Sequence, residues 1–520
     1  MQAEALLQRA LQLQMQDQPA RAAEQCREVL ECSPRHPLAL LLLGIIELEC
    51  AQPQAALRHL ELAMQVAPGN VAAHLAHGQA LQQLGRADAA IASFRTVAAL
   101  QPDLALGHFH LGSALARSGR YEESLPSLDR AIALDGSNAT AFADRANALG
   151  ALHRFSEALA SYDGAIAIQP DFVEAWCSRG RLQCDACDPD GAVESLDRAV
   201  AIDPQFAAAY INRGFARLLK GDLVSGWQDN EWRWRARGTP TWQERRQFPQ
   251  PRWSGQPLAG RTLFLHREQG LGDALQFCRY IPLLADAGAT VILEIHAPLM
   301  RLFAGLRGVA QLIERGAAVP PFDYWCPLLS LPLAFRTDLA TIPADIPYLH
   351  ADPDRVQYWE RRLAAAGSRP RIGLVWSGGA VHPNDHNRSM ALDQLLPHLP
   401  AGCHYVSLQK EVRPLDHPAL GAHPWLLHVG EELHDFSDTA ALCRCLDLVI
   451  SIDSSVAHLA GALGAPVWIL LPHSPDWRWL LNRDDSPWYP SARLYRQPQP
   501  GDWDGLLRRV GADLGRRFSL

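Results

Sequence analysis

Residues 37–70 read PLALLLLGIIELECAQPQAALRHLELAMQVAPGN, and residues 71–104 read VAAHLAHGQALQQLGRADAAIASFRTVAALQPDL. Laid over one another, they set Gly44 against Gly78, Ala56 against Ala90 and Pro68 against Pro102. The 34-residue spacing runs on in both directions. Pro34, Pro68, Pro102, Pro170 and Pro204 share one register, with Gly136 in the remaining place. Gly44, Gly78, Gly112, Gly180 and Gly214 share a second, completed by Ala146. Ala22, Ala56, Ala90, Ala158 and Ala192 share a third, with Ser124 in step. Registers that stay in phase this long mark a repeated supersecondary unit. Each unit reads as two antiparallel helices. Small residues stand where the two backbones come close. The proline closes the second helix, because it lacks an N–H and restricts the residue before it. Large apolar residues such as Leu40, Leu43, Leu57 and Leu60 fill the inward positions.

These residues resemble the tetratricopeptide (TPR) signature from residue 3 to about 236, so residues 1–236 are expected to form a TPR superhelix. Six full units are expected, followed by a degenerate seventh from Ala207 that includes GDLVSGWQDNEWRWRARG. In that unit Gly226 replaces the alanine, and Trp227, Trp232 and Trp234 load one end. The preferred reading is a cap that seals the stack; a carbohydrate-stacking surface is the alternative. Solenoids present a concave groove, so a polypeptide is the expected ligand.

With 520 residues, the chain is too long for one hydrophobic core. Its hydrophobic fraction of 48% and charged fraction of 20% are those of a globular protein. A net charge of −8 and the lack of a basic stripe argue against nucleic acid as a partner. The start, MQAEALLQRALQLQ, is amphipathic and unlike a signal peptide. The longest apolar run, Leu38 to Ile46, is too short to span a bilayer. The 11 scattered cysteines fit a reducing, cytoplasmic setting better than a disulfide framework. Cys184 and Cys187 form a CxxC inside a helical repeat, with no second pair to complete a metal site.

The repeat breaks at Gly238. Residues 237–260, which include TPTWQERRQFPQPRWSGQPLAG, are rich in proline and read as an ordered linker pinned by Trp242, Phe248 and Trp253. From Arg261 short apolar strands alternate with helices, the α/β pattern. A strand at 262–266 runs into REQGLGDALQF, where Gly270 and Gly272 allow a tight turn and Asp273 is expected to cap a helix starting at Ala274. A second strand is expected at 291–295; the elements from there to about 350 are not placed. A further α/β unit begins with the strand 371–376 and its exit loop Ser377, Gly378, Gly379. The polar loop VHPNDHNRS follows. Further on, LDLVISID leads straight into the helix SSVAHLAGALG. Asp453, Ser454 and Ser455 thus stand between the end of a strand and the start of a helix, where open α/β sheets bind ligands. The free N–H groups and two hydroxyls suit a pyrophosphate. Asp453 would repel one, and plain N-capping of the helix remains open.

Two stretches carry a resemblance. EQGLGDALQFCRYIPLL resembles the amino-domain motif of the ADP-heptose:lipopolysaccharide heptosyltransferases (glycosyltransferase family nine), and DLVISIDSSVAHLAGALGAPVWILLP resembles their carboxyl-domain motif. The resemblance covers roughly residues 260–515. The whole layout is similar to bacterial TPR proteins carrying such a domain and, in architecture only, to O-GlcNAc transferase. It implies a GT-B fold of two Rossmann-like domains: residues 261–368 on the acceptor side, and 369–520 on the nucleotide-sugar side with a carboxyl-terminal return helix. It also implies catalysis without a metal or other cofactor, the leaving diphosphate being offset by helix termini and basic side chains.

Carried over by position, Asp273 matches the family's proposed base, in a loop with Gln269, Gly270 and Gly272. Asp453, Ser454 and Ser455 match the donor-binding motif, and Ser377 and Gly378 the loop near the donor phosphates. Arg388, next to Ser389, stands loosely where the heptosyltransferases use a lysine, with Lys410 as its rival. Gln409 lies where the family often has an acidic residue near the nucleotide. His458 faces the donor on one reading and is a packed core histidine on the other. His382 and His386 read as a polar wall of the donor cleft, since Pro383 spoils a helical metal pair. Trp477, Trp479, Trp488 and Tyr489 read as anchors of the returning chain, with sugar or base stacking as the alternative. The expected function is transfer of a sugar from a nucleotide-sugar to an acceptor, a protein recruited by the TPR array. The alternatives are a scaffold with a degenerate transferase half and a glycan or lipopolysaccharide glycosyltransferase.

Overall fold

The structure is a computed structural model that describes residues 2–380, 382 and 384–520. Val381 and Pro383, within the VHPNDHNRS loop, lie outside the described residues. The chain divides into two compact units, one ending at Leu182 and one running from Gln183 to Leu520. The division by compactness falls inside the sixth repeat, whereas the repeat spacing runs on to 236.

The first unit is built from helical hairpins: Gln2–Met15 with Pro19–Cys32, Pro37–Glu49 with Pro53–Val66, Val71–Gln83 with Ala87–Leu100, Ala105–Arg117 with Tyr121–Leu134, and Ala139–Ala151 with Phe155–Ile168. The sequence registers acquire physical causes. A Cβ on Gly44 would lie 2.6 Å from Leu60, one on Gly78 2.5 Å from Phe94, and one on Gly112 2.6 Å from Leu128. Glycine therefore admits the large side chain of the second helix of the same hairpin. In the fifth hairpin Ala146 takes the glycine's place and Tyr162 fills the position; its hydroxyl donates to Asn147 Oδ1 at 2.6 Å. Ala22, Ala56, Ala90 and Ala158 are fully buried. So is Ser124, whose hydroxyl is satisfied by the Tyr121 carbonyl at 2.7 Å. His74 and His108 close the turns through the carbonyls of Pro68 and Pro102, at 2.8 and 2.9 Å.

The helix Val173–Asp185 ends in the second unit, which goes on with helices Pro189–Ile202, Ala207–Lys220 and Leu223–Asn230 and a short 3-10 turn, Glu231–Trp234. Trp227 is buried, donates to the Thr337 carbonyl at 3.0 Å and meets Trp477 edge-on at 5.1 Å. Trp232 stacks on Tyr210 with centroids 3.7 Å apart. Trp234 meets His266 edge-on at 6.4 Å and lies under the Arg233 guanidinium at 4.8 Å, so all three tryptophans make ring contacts within this unit.

Two wholly parallel sheets follow. The first has the order β3-β2-β1-β4, from β1 (Thr262–His266), β2 (Thr290–Ile295), β3 (Val309–Glu314) and β4 (Tyr324–Pro327). The second is built from β5 (Arg371–Val375), β6 (His404–Ser407), β7 (Leu426–His428), β8 (Leu448–Ile452), β9 (Val467–Leu471) and β10 (Ala492–Arg496), in the order β10-β9-β8-β5-β6-β7. Every residue of β8 and β9 is buried, as expected of central parallel strands covered on both faces. The linker covers an edge: Arg252 bridges to Trp325 of β4, and the Trp253 N–H donates to the Trp325 carbonyl at 2.8 Å. Phe248 packs on Phe264 and Phe322, and Trp253 is buried.

One expectation is corrected. The last helix, Trp503–Phe518, does not return to the first sheet. It packs on β10 and on the segment Leu392–His398 of its own sheet, with His398 Nε2 3.0 Å from Asp504. The crossing is made by the segment 476–489. Trp477 meets Trp227 there, and the Trp488 carbonyl accepts from Arg279 at 2.8 Å. Buried aromatics drive that crossing, since Trp477, Trp479, Trp488 and Tyr489 are all buried.

Candidate functional site

The carboxyl ends of β1, β5 and β8 converge. On the first side, β1 ends at His266 and the chain turns through Gln269, held at φ +58, into the helix Leu271–Phe277. That φ is uncommon for a residue with a side chain. The helix starts at Leu271 rather than Ala274, so Asp273 lies within its first turn instead of preceding it. Its Oδ2 accepts from the Gly270 N–H at 2.8 Å, closing the turn from inside. Its Oδ1 pairs with the Arg478 guanidinium. Gly272 allows a close crossing: a Cβ there would lie 2.9 Å from the His458 ring.

On the second side, Ser377 and Gly378 follow β5. Gln409 clamps this loop, its Nε2 donating to the Ser377 carbonyl at 3.0 Å and to the Glu411 carbonyl at 3.1 Å. The Gly378 N–H donates to Ser389 Oγ at 2.9 Å, and that hydroxyl donates to Asp385 at 2.8 Å. Arg413 pairs with Asp385 and donates to the Gly378 carbonyl at 3.1 Å. Arg388 reaches the next strand's exit, its Nη1 donating to the Asp453 carbonyl at 3.0 Å. Ser377 Oγ and Arg388 Nε are both shielded from solvent and have no hydrogen-bond partner among the described residues.

At the end of β8, Asp453 precedes the helix Ser455–Ala462, with Ser454 at the N-cap. No side chain caps this helix. The Ser454 hydroxyl turns back to Ser451 Oγ at 2.9 Å, so the first-turn N–H groups have no side-chain acceptor. The Ala457 N–H donates to the Ser454 carbonyl at 3.1 Å, and the amides ahead of it, the dipole's positive end and Arg388 make a corner suited to an anion.

The charges at this point are close and interdependent. Burial raises the Asp453 carboxyl to about 6, helped by Asp476 and opposed by Arg478 and Arg388. Burial likewise raises Asp273, against the pull of Arg478. Arg478 stays protonated despite its burial because Asp476 and Asp273 flank it. Burial, with Arg388 beside it, lowers His382, against the fields of Asp476, Asp385 and Asp273.

The residues expected from sequence separate into two groups. Asp273, Gly270, Gly272, Ser377, Gly378, Arg388, Ser389, Asp453, Ser454 and Ser455 gather at the strand ends, with Gln269 in the same loop as Asp273. The rest do other work. The Gln409 carboxamide is occupied by backbone and is a loop clamp. Lys410 is exposed and donates to the His434 carbonyl at 2.9 Å, so Arg388, not Lys410, is the cation that reaches Asp453. His458 is a packed histidine: its Nδ1 meets the Tyr489 hydroxyl at 2.9 Å and its ring stacks on Trp479. Burial drops it well below the usual imidazole range, so it is neutral. His386 is exposed. The Cys187 thiol donates to the His473 carbonyl at 3.2 Å, and Cys184 is buried. Arg478, Asp476 and Arg413 join the site from outside the residues that the sequence motifs single out. The signal for the first two was a charged pair set among tryptophans, in PDWRW; nothing local marked Arg413.

Residues 75–139 and 143–207 match the tetratricopeptide-repeat family. The hairpins at these residues are tetratricopeptide repeats. Protein FlbA of Caulobacter vibrioides is 30% identical over 323 residues, which are 57% of this chain and 53% of that protein. The chain therefore spans about half the length of this curated relative. Among solved structures, YrrB, a TPR protein with an unusual peptide-binding site, is 19% identical, with a TM-score of 0.33, over 36% of this chain and 96% of its own. MamA of Desulfovibrio magneticus RS-1 is also 19% identical, with a TM-score of 0.32, over 33% of this chain and 96% of its own. No helix among the described residues is long and apolar enough to cross a membrane.

Proposed function

We propose that the chain is a metal-independent glycosyltransferase of GT-B type, whose repeats recruit a polypeptide acceptor and whose two parallel sheets face a nucleotide-sugar. The observation that carries this reading is the meeting of Asp273, from the first sheet, with an anion-suited corner of the second. That corner consists of the uncapped helix Ser455–Ala462, Arg388 and the partnerless Ser377 hydroxyl. The motifs that resemble glycosyltransferase family nine lie at these same strand ends. In this reading the acceptor oxygen bonds to the anomeric carbon as its proton passes to Asp273. The bond from that carbon to the diphosphate breaks, and its electron pair leaves with the nucleotide. Helix N–H groups and Arg388 offset the charge that develops there.

A panel of radiolabelled nucleotide-sugars with purified protein tests the proposal. Hydrolysis or transfer with one donor, together with donor binding by calorimetry, is the expected result; neither activity nor binding with any donor would refute it. One observation favours the scaffold reading instead. Of two expected donor contacts, the Gln409 carboxamide is taken up by backbone, and Lys410 donates to the His434 carbonyl. Asp273→Ala separates the two: the enzyme loses turnover with its fold intact, while a scaffold keeps its partner function. Acceptor profiling tells a protein from a glycan acceptor.

A further inference from the structure

Arg478 lies in the 3-10 turn Trp477–Trp479 beyond β9, yet it ends among residues of the first sheet's loop. Its side chain is 11% exposed. Nε donates to Gln276 Oε1 at 2.6 Å, Nη1 pairs with Asp476 at 2.9 Å, and Nη2 meets Asp273 Oδ1. The guanidinium lies over the Trp477 ring at 4.3 Å and near Phe277 at 5.9 Å. Each end of the fork is thus fixed by a different partner, and aromatic rings hold the plane. A lysine has no such fork. With the Gly270 N–H on Oδ2, both oxygens of Asp273 are tied from opposite sides.

We propose that Arg478 is a positioning residue for Asp273: the half of the chain that takes the donor holds the base on the other half as an anion in one orientation. This rests on the transferase reading above. The other charged groups around Asp273 do not supply that hold. Asp476 and Glu268 are acidic and disfavour a third anion. His382 stands on the opposite loop and Asp453 beyond Arg478, while His458, packed on Gly272, is neutral. Arg388 is directed to the Asp453 carbonyl. Without Arg478, burial and two neighbouring carboxylates act on Asp273 with only one N–H to oppose them. The base then stays protonated to higher pH, and the acceptor proton has nowhere to go.

The test compares Arg478→Met and Arg478→Lys with wild type in pH–rate profiles of sugar transfer, alongside donor affinity by calorimetry. Arg478→Met is expected to lower turnover by about 100-fold or more at neutral pH and to move the acid limb up by about one pH unit or more. Arg478→Lys is expected to restore the limb's position but only part of the rate. An unmoved limb in Arg478→Met, or equal losses in Met and Lys variants, would overturn the proposal. If Arg478→Met does not fold, the lysine variant decides alone: a full rate with an unaltered profile refutes the need for the fork. If wild type transfers no sugar, the transferase reading fails separately. Carboxyl carbon-13 NMR of Asp273 then still reads the hold, and the same titration midpoint in wild type and Arg478→Met would overturn it.

Discussion

Arg233 and Glu268 form a doubly hydrogen-bonded ion pair, 2.9 Å at each contact, with side chains only 4% and 3% exposed. Arg233 lies in the 3-10 turn that follows the seventh helical pair, and Glu268 is the second residue after β1 and immediately precedes the Gln269–Asp273 turn. Around them Glu268 accepts the Leu329 N–H at 3.0 Å, and Glu231 accepts the Ser330 hydroxyl at 2.7 Å. The degenerate repeat is therefore wired by buried charge to the loop that carries the proposed base.

Removing one partner of such a pair leaves a charge buried without compensation. Arg233→Met is expected to lower stability by about 3–5 kcal/mol. Urea unfolding measures this, and a midpoint equal to that of wild type would count against the pair as drawn.

The repeat registers make a sharper, paired prediction. Gly78→Ala places a methyl 2.5 Å from Phe94 and is expected to cost about 1–3 kcal/mol. Gly69→Ala, whose new Cβ meets nothing within 4 Å, is expected to be neutral or slightly stabilising. Thermal unfolding of the two variants should separate them; equal effects would mean the glycine register is not a packing constraint.

Asp453 has a pH signature with a definite sign. Its carboxyl is raised in the folded state from 3.8 to about 6, so the folded protein holds a proton that the unfolded chain releases. Stability from this group is intact below pH 4 and falls as pH rises towards 6. Asp453→Asn is therefore expected to be more stable than wild type at pH 7, by on the order of 2–3 kcal/mol. The two should converge near pH 4. A constant gap across that range would show that burial of the charge is not the cause.

The corner at Arg388 predicts ligand affinity. Calorimetry with a panel of nucleoside diphosphates is expected to show about 10- to 100-fold weaker binding for Arg388→Ala, or roughly 1.4–2.7 kcal/mol. Lys410→Ala, with its ammonium on the His434 carbonyl, is expected to bind as wild type does. The reverse ranking would make Lys410 the phosphate contact.

The sequence alone determined the hairpin stack. A helical repeat is local: Gly78 and Phe94, or Ala146 and Tyr162, lie within one unit, so a fixed spacing records the contact. It also marked the apolar strands β1, β2, β5 and β8, and the turns at Asp273 and Asp453. The short outer strands β3, β4, β7 and β10 were not read. A strand as short as Leu426–His428 carries too little pattern, and its existence depends on pairing with β6, as in Tyr405 against Leu426. The site was half legible for the same reason. Glycine turns and strand ends are local features. The pairing of Arg478 with Asp273, 205 residues apart, arises only when the loops beyond the strand ends of the two sheets are brought together. Tertiary structure likewise decided that His458 is packed, that Gln409 is a clamp and that the last helix stays with its own sheet. In each of those cases the deciding partner — Tyr489 for His458, Ser377 for Gln409, His398 for Asp504 — is remote in sequence, and burial next to it settles which of several chemically reasonable roles the side chain takes.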